Sequence, residues 1–199
     1  MISIVIPTIT GREHLLEKTI EAIRENTDSD CEVIEAKDRP TCGQGWNAGI
    51  EMAEGEFVCL LADDLLPFPG WDEAAIQAVE DGVWPSPWIQ RPDGSTEARG
   101  SMGAGQLLGE STPDETVCNS SPIPFFRRAD WEKIGPCLPI HYYGDDFLAW
   151  RARSAGLQIE LRGSYRFTHL EGTLGRGEVQ QRAMADRLIY LKTISGEET

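Results

Sequence analysis

The stretch FVCLLADDLLPFPGW, residues 57–71, joins an apolar run to two adjacent carboxylates, Asp63 and Asp64. The run predicts a buried strand, and charged side chains are seldom buried without a partner. In an open α/β sheet, ligands bind beyond the carboxyl ends of the parallel strands, where these two residues would lie. Two carboxylates there repel each other unless a cation lies beside them, and hard divalent ions prefer oxygen ligands. The flanking strand and the turn PFPGW favour such a site over the alternative, a helix-capping Asp pair in a surface loop.

The segments around this stretch alternate between strand and helix. ISIVIP (residues 2–7) is apolar and β-branched and predicts a buried parallel strand, followed by a helix in EHLLEKTIEAIREN (13–26). CEVIEA (31–36) predicts a second strand, GWNAGIEMAEG (45–55) a second helix and GWDEAAIQAVEDG (70–82) a third helix. This alternation predicts βαβ units and a mainly parallel central sheet flanked by helices.

The second half of the chain has a different pattern. From residue 83 it is rich in Pro, Gly, Ser and Thr, which predicts a short strand or hairpin and then a long loop. IPFFRRADWEKIG (123–135) predicts a strand and a helical turn, and GDDFLAWRARSAG (144–156) a helix. LQIELRG and YRFTHL predict two short strands, and EVQQRAMADRLIYLKTI (178–194) a final amphipathic helix. No repeat or linker divides these 199 residues, so we expect a single domain.

Composition narrows the class of protein. The chain carries 18 Lys and Arg against 33 Asp and Glu, a formal net charge of −15, which disfavours general binding to nucleic acid or anionic membrane. Its five cysteines include no CxxC pair, which favours reduced, packed thiols and a cytoplasmic protein over a disulfide framework or a zinc site. No apolar run is long enough to span a membrane.

Four segments resemble family 2 glycosyltransferases with the GT-A fold. ISIVIPTITGREHLLEKTIEAIRENT looks like the family's opening strand and helix, and NAGIEMAEGEFVCLLADDLLPFPGW is similar to the segment with its DxD metal motif. PFFRRADWEKIG and YGDDFLAWRARSAG resemble the acceptor-side strand–helix and the motif that supplies the catalytic base. The resemblance implies one α/β, Rossmann-like GT-A domain over residues 1–199. Residues 1–82 would form the nucleotide-sugar-binding half, and residues 83–199 the acceptor-binding and catalytic-base half.

The resemblance also implies which residues bind the donor sugar nucleotide. These are Pro7, Thr8, Asp38, Asn47, Asp63 and Arg176. Pro7 and Thr8 would line the nucleotide pocket, and Asp63 would lie near the ribose or sugar. Asn47 could instead order its own loop, and Arg176 could be a solvated loop charge rather than a diphosphate ligand.

Recognition of the donor's base departs from the family pattern. The usual acidic pair after the second strand is replaced by Lys37 and Asp38. The choice among UDP, GDP and dTDP sugars therefore stays open, with a UDP-sugar as the expected donor.

The resemblance assigns the metal to Asp64, at the final position of the DxD motif, and to His169, which ends YRFTH. The implied ion is Mn²⁺ or Mg²⁺. The first motif position is Ala62 instead of an acid, so metal binding would depend on Asp64 and His169.

The catalytic base is implied to be one of two adjacent carboxylates, Asp145 and Asp146. An inverting sugar transfer needs one carboxylate to take the proton of the acceptor hydroxyl. The family's spacing to Arg151 and Gly156 selects Asp145, whereas matching the usual acidic pair by eye selects Asp146. An ordinary helix N-cap would have the same appearance.

Together these features predict a metal-dependent, inverting glycosyltransferase that moves one sugar from a nucleotide-diphospho-sugar to an acceptor hydroxyl. The acceptor is not identified by the sequence. Two alternatives are a nucleotidyltransferase of similar fold and a non-catalytic GT-A-like binding domain. The missing first DxD acid is consistent with the second of these.

Overall fold

The computed structural model of the chain describes residues 1–99, 118, 120–170 and 177–196. Its strands are β1 (Ile2–Thr8), β2 (Cys31–Lys37), β3 (Phe57–Leu60), β4 (Leu65–Pro67), β5 (Val83–Gln90), β6 (Thr96–Arg99), β7 (Phe125–Arg127) and β8 (Gln158–His169). Its helices are α1 (Glu13–Asn26), α2 (Cys42–Met52), α3 (Trp71–Glu80), α4 (Trp131–Ile134), α5 (Gly144–Ser154) and α6 (Gly177–Ser195), with a 3₁₀ turn at Arg128–Asp130. This architecture confirms the predicted α/β fold class.

The first sheet has the strand order β2-β1-β3-β7. Strand β1 runs parallel to β2 and β3, whereas β7 is antiparallel to β3. Both faces of the central strands are buried: Val5 and Val58 pack into a cluster with α2 and α5, while Ile4 and Cys59 pack into the cluster on the other face. Burial on both faces explains why these strands are continuous apolar runs.

The second sheet has the order β4-β8-β5-β6, in which β5 and β8 are parallel and the other pairs antiparallel. The prediction of two short strands between residues 157 and 170 is wrong, because β8 is one strand from Gln158 to His169. Its pairing with β5 jumps from Ser86↔Leu161 to Trp88↔Arg166. Between these pairs lies Pro87, which has no N–H to donate to the ladder, and β8 bulges past it without ending.

Each half of the chain contributes one strand to the sheet that is formed mainly by the other half. Strand β4 of the first half pairs with β8, and β7 of the second half pairs with β3. Helix α2 packs on β1 through two glycines: a Cβ at Gly45 would stand 2.8 Å from Cβ of Pro7, and one at Gly49 would stand 2.2 Å from Cγ1 of Val5. Only glycine allows helix and strand to approach this closely.

All five cysteines are free thiols. Cys59, Cys118 and Cys137 are buried, whereas Cys31 is exposed and departs from the expectation of a packed thiol. Within the described residues, no helix combines the length and the apolar character needed to cross a bilayer.

Candidate active site

Asp63 and Asp64 lie just beyond β3, at the edge of the first sheet, and both are buried. Their shared partner is Arg12, in the loop between β1 and α1. The guanidinium Nε lies 3.0 Å from both carboxylate oxygens of Asp63, and Nη2 lies 2.8 Å from Asp63 Oδ1 and 3.1 Å from Asp64 Oδ2. A guanidinium fork matches a carboxylate in this way, which explains how two adjacent acids are tolerated in a buried position.

Two hydroxyls fix Asp63 further. Thr8 Oγ1, at the end of β1, donates to Asp63 Oδ2 at 2.8 Å, and Thr19 Oγ1 of α1 donates to the Asp63 carbonyl at 2.9 Å. The loop after β1 is in turn held by Asp38, whose carboxylate accepts from the backbone and hydroxyl of Thr10. The hydrogen bond from the backbone N–H of Thr10 is the main interaction that lowers the pKa of Asp38. The first strand's end, its loop and Asp63 thus form one connected network.

His169, the last residue of β8, lies between two carboxylates. Its Nε2 is 3.4 Å from Asp64 Oδ2, and its Nδ1 is 3.1 Å from Glu97 Oε2 on β6. Burial alone would lower the pKa of His169, but the hydrogen bonds to Asp64 and Glu97 outweigh burial and raise that pKa to about 9. The hydrogen bond from His169 is also the largest cause that lowers the pKa of Glu97, so Glu97 is an ionised acceptor.

This edge offers a divalent ion two donors. Within the described part of the chain, no group of three or more His, Cys, Asp or Glu side chains could hold an ion by itself. One carboxylate oxygen of Asp64 and Nε2 of His169 lie side by side, and Mn²⁺ accepts both ligand types once Nε2 has released its proton to make way for the ion. These residues therefore fit an ion whose remaining ligands are phosphate oxygens and water.

The two acids of α5 lie close enough to interact electrostatically. Burial, followed by the charge of Asp146, raises the pKa of Asp145 to about 7. Burial, then the charges of Asp145 and Asp63, raises the pKa of the Cys42 thiol to about 12, so both carboxylates act electrostatically on Cys42. Asp146 is buried and, after burial itself, contributes most to raising the pKa of Tyr190 on α6.

The segment before α5 is held by polar side chains on both flanks. Asn47 of α2 donates to the carbonyl of Cys137 at 3.0 Å and accepts from its N–H at 2.9 Å. On the other flank, Asp186 of α6 accepts from the N–H groups of His141 and Tyr142 at 2.9 and 3.1 Å. Both polar ends of the Asn47 amide are therefore engaged by the chain itself.

The structure brings Thr8 into contact with Asp63 and His169 into contact with Asp64. Asp145 and Asp63 both act electrostatically on Cys42. Pro7 packs against α2, Asp38 braces the loop after β1, and Asn47 holds Cys137. Arg176 lies outside the described residues.

Two residues of the cluster, Arg12 and Glu97, were not predicted from the sequence. A signal for Arg12 was available: a lone arginine in the loop after the first strand must lie at the same sheet edge as the two acids. Nothing in the local sequence around Glu97 connects it to His169.

No protein-family model matches the chain, and no curated protein matches it by sequence. Solved structures do. TarS of S. aureus is 15% identical, with a TM-score of 0.66 over 96% of this chain and 39% of TarS. GalNAc-T7, solved with UDP, GalNAc and Mn²⁺, is 13% identical, with a TM-score of 0.71 over 96% of this chain and 48% of GalNAc-T7. The chain thus spans less than half of either protein. At this identity the likeness concerns the fold, and the chain has the GT-A glycosyltransferase fold.

Proposed function

We propose that the protein is a metal-dependent, inverting glycosyltransferase that moves one sugar from a nucleotide-diphospho-sugar to an acceptor hydroxyl. The observation that carries the proposal is the pairing of Asp64 and His169 at the sheet edge. Ligands of open α/β sheets bind at this edge. The fold shared with TarS and GalNAc-T7 supports the same reaction class.

Asp64 and His169 would hold the ion. When bound, a divalent ion supplies Lewis-acid stabilisation to the charge that develops on the leaving diphosphate. The proposed ion is Mn²⁺ or Mg²⁺, because the ligands at this sheet edge are a carboxylate and an imidazole. The presence of Mn²⁺ and UDP in the GalNAc-T7 structure supports Mn²⁺ as the ion and a UDP-sugar as the donor.

The acceptor oxygen attacks the anomeric carbon as the bond from that carbon to the diphosphate oxygen breaks. Asp145 takes the proton that the acceptor hydroxyl loses. A pKa near 7 leaves Asp145 ionised in a large fraction of molecules at neutral pH, yet basic enough to accept a proton. Asp146 would assist Asp145 and would not itself take the proton. It is buried, and its charge acts on Tyr190 of α6.

On the donor side, Thr8 and Asp63 would orient the ribose or sugar, since the Thr8 hydroxyl fixes one Asp63 oxygen. Pro7 would line the nucleotide pocket and Asp38 would shape its loop. Asn47 would contribute indirectly, by holding the segment that leads to α5. Arg176 would reach the diphosphate.

The experiment that tests this proposal is a panel of nucleotide sugars, each with Mn²⁺, with Mg²⁺ or with EDTA. Thermal shift reports donor binding, and slow release of free sugar reports chemistry in the absence of an acceptor. We expect one donor to raise the unfolding temperature in a metal-dependent way. If no nucleotide sugar changes the unfolding temperature with either metal, the transferase proposal is refuted.

A non-catalytic binding domain is the second candidate, and one observation favours it. Asp64 is already satisfied by Arg12 and His169, and Ala62 stands where the family's first metal-binding acid is expected. The same panel separates the two candidates. Stabilisation by a nucleotide sugar without any sugar release, even at high enzyme concentration, would favour binding alone.

A further inference from the structure

Glu97 is the residue of β6 whose backbone is out of register. Strand β5 pairs Ile89 with Ala98 and Gln90 with Thr96, so Glu97 is the extra residue of a β-bulge between these pairs. Bulges redirect side chains and are common beside active sites. Here the bulged residue reaches across β5 to His169 on β8, which is not its neighbouring strand.

The contact between His169 and Glu97 is largely shielded from solvent. The side chains of His169 and Glu97 are 13% and 23% exposed, and Nδ1 lies 3.1 Å from Glu97 Oε2. A carboxylate can only accept, so Nδ1 carries the proton in this contact. The other ring nitrogen, Nε2, is thereby directed at Asp64 Oδ2, 3.4 Å away.

Histidines that bind metals usually donate their second ring N–H to a carboxylate or carbonyl, which fixes the tautomer and the ring's orientation. The chain Asp64–His169–Glu97 has this arrangement. From it we infer that Glu97 is a positioning residue for the metal site: it holds the His169 ring so that Nε2 faces Asp64 Oδ2, the other atom that would hold the ion. This inference rests on the proposed function.

The bulge explains how the side chain of Glu97 comes to be aimed at His169. Regular pairing would send the side chain of residue 97 to one of the two faces set by strict alternation. The interruption between Ile89 and Gln90 instead lets Glu97 meet a histidine at the end of β8.

The test is Mn²⁺ binding to the full chain without any donor, measured by the loss of the free Mn²⁺ EPR signal. Glu97→Ala should weaken Mn²⁺ binding by about 10- to 100-fold, the range for supporting partners of metal ligands. Glu97→Gln keeps an acceptor for Nδ1 and should therefore lose less affinity than Glu97→Ala. The matched control is Glu160→Gln on β8, which removes a half-buried carboxylate that bonds Arg162 and should leave the affinity unchanged.

Electron spin-echo modulation from imidazole nitrogen supplies a readout that a purely structural role would not move. The wild type should show nitrogen modulation on bound Mn²⁺, His169→Ala should lose it, and Glu97→Ala should show it in a smaller fraction of the bound ions. A folded Glu97→Ala protein that binds Mn²⁺ with less than a tenfold loss overturns the inference. If that variant fails to fold, Glu97→Gln decides, and wild-type affinity there has the same meaning.

The Asp64→Asn variant separates failure of the proposed function from failure of the inference about Glu97. If Asp64→Asn leaves Mn²⁺ binding unchanged, the metal does not bind at this edge, whatever Glu97 does. A loss in Asp64→Asn together with wild-type affinity in both Glu97 variants would keep the metal site and remove only the role of Glu97.

Discussion

Replacing Arg12 by alanine should destabilise the protein strongly, although Arg12 lies in a loop. Arg12 supplies the cation for two carboxylates that are only 5% and 6% exposed, Asp63 and Asp64. Without Arg12, Asp63 keeps the hydroxyl of Thr8 and Asp64 keeps the imidazole of His169, and the two negative charges repel each other.

The magnitude follows from burial on each side of the pair. Removing one partner of a fully buried ion pair costs about 3–5 kcal/mol. The Arg12 side chain is 31% exposed, so solvent screens part of its interaction, and we expect a loss of about 2–3 kcal/mol. For a domain of this size, that loss lowers the unfolding temperature by about 5–10 °C.

Thermal unfolding by circular dichroism and urea titration at pH 7 measure this loss. The matched control is Lys133→Ala, which removes an exposed, solvent-screened ion pair with Asp130 and should leave the stability nearly unchanged. Saturating Mn²⁺ should restore more stability to Arg12→Ala than it adds to the wild type, because the ion replaces the missing positive charge. An Arg12→Ala protein no less stable than Lys133→Ala would refute the reasoning that Arg12 neutralises this edge.

Other consequences concern α5 and α2. Asp145→Asn should reduce turnover by about 10²- to 10⁴-fold and leave the donor-induced thermal shift intact, whereas Asp146→Asn should retain more activity. For the wild type, kcat/KM should rise with pH through about 7 as Asp145 loses its proton. The raised pKa of Asp145 means that its charge destabilises the fold: stability is fully present below the unfolded pKa and is lost as pH rises towards 7. Asp145→Asn should therefore raise the unfolding temperature at pH 8 and not at pH 4. Gly49→Ala should cost about 1–3 kcal/mol in urea titration, since its Cβ would stand 2.2 Å from Val5 Cγ1.

A specific result would contradict each of the predictions for Asp145 and Gly49. Full activity in Asp145→Asn with loss in Asp146→Asn would reverse the assignment of the base. A flat pH profile, or equal stabilisation at pH 4 and pH 8, would mean that Asp145 does not titrate near 7. Met52→Ala, at an exposed position of the same helix, is the control for Gly49→Ala, and equal stability of the two would argue against close packing there.

The first sheet could be predicted from the sequence because its strands are buried on both faces. Such strands are continuous apolar runs, so ISIVIP and FVCLLA locate β1 and β3 directly. Asp63 and Asp64 stand out for the same reason, since two charges directly after a buried run need a partner at the sheet edge. The helix α5 was equally visible, with acids in its first turn and arginines in its last.

The second sheet was less predictable because its strands depend on long-range pairing. β4 has only three residues and forms against β8, about a hundred positions later in the chain. The break at Pro87 and the bulge at Glu97 leave no local pattern that points to His169. Arg12 is 51 residues from Asp63, and only the assembled sheet edge shows that the two meet.

The placement of Asp145 follows from packing that begins at β1. Gly45 lets α2 lie directly on β1, and Asn47, further along the same helix, fixes the backbone of Cys137 with two hydrogen bonds. Gly43 binds the same segment from the start of α2: its N–H donates to the Ile140 carbonyl at 3.0 Å. The strand that ends beside Asp63 and the segment that leads into the helix of Asp145 are therefore both bound by α2. We expect this packing to hold Asp145, the proposed base, in place relative to the donor edge, so that acceptor binding would complete the reacting geometry.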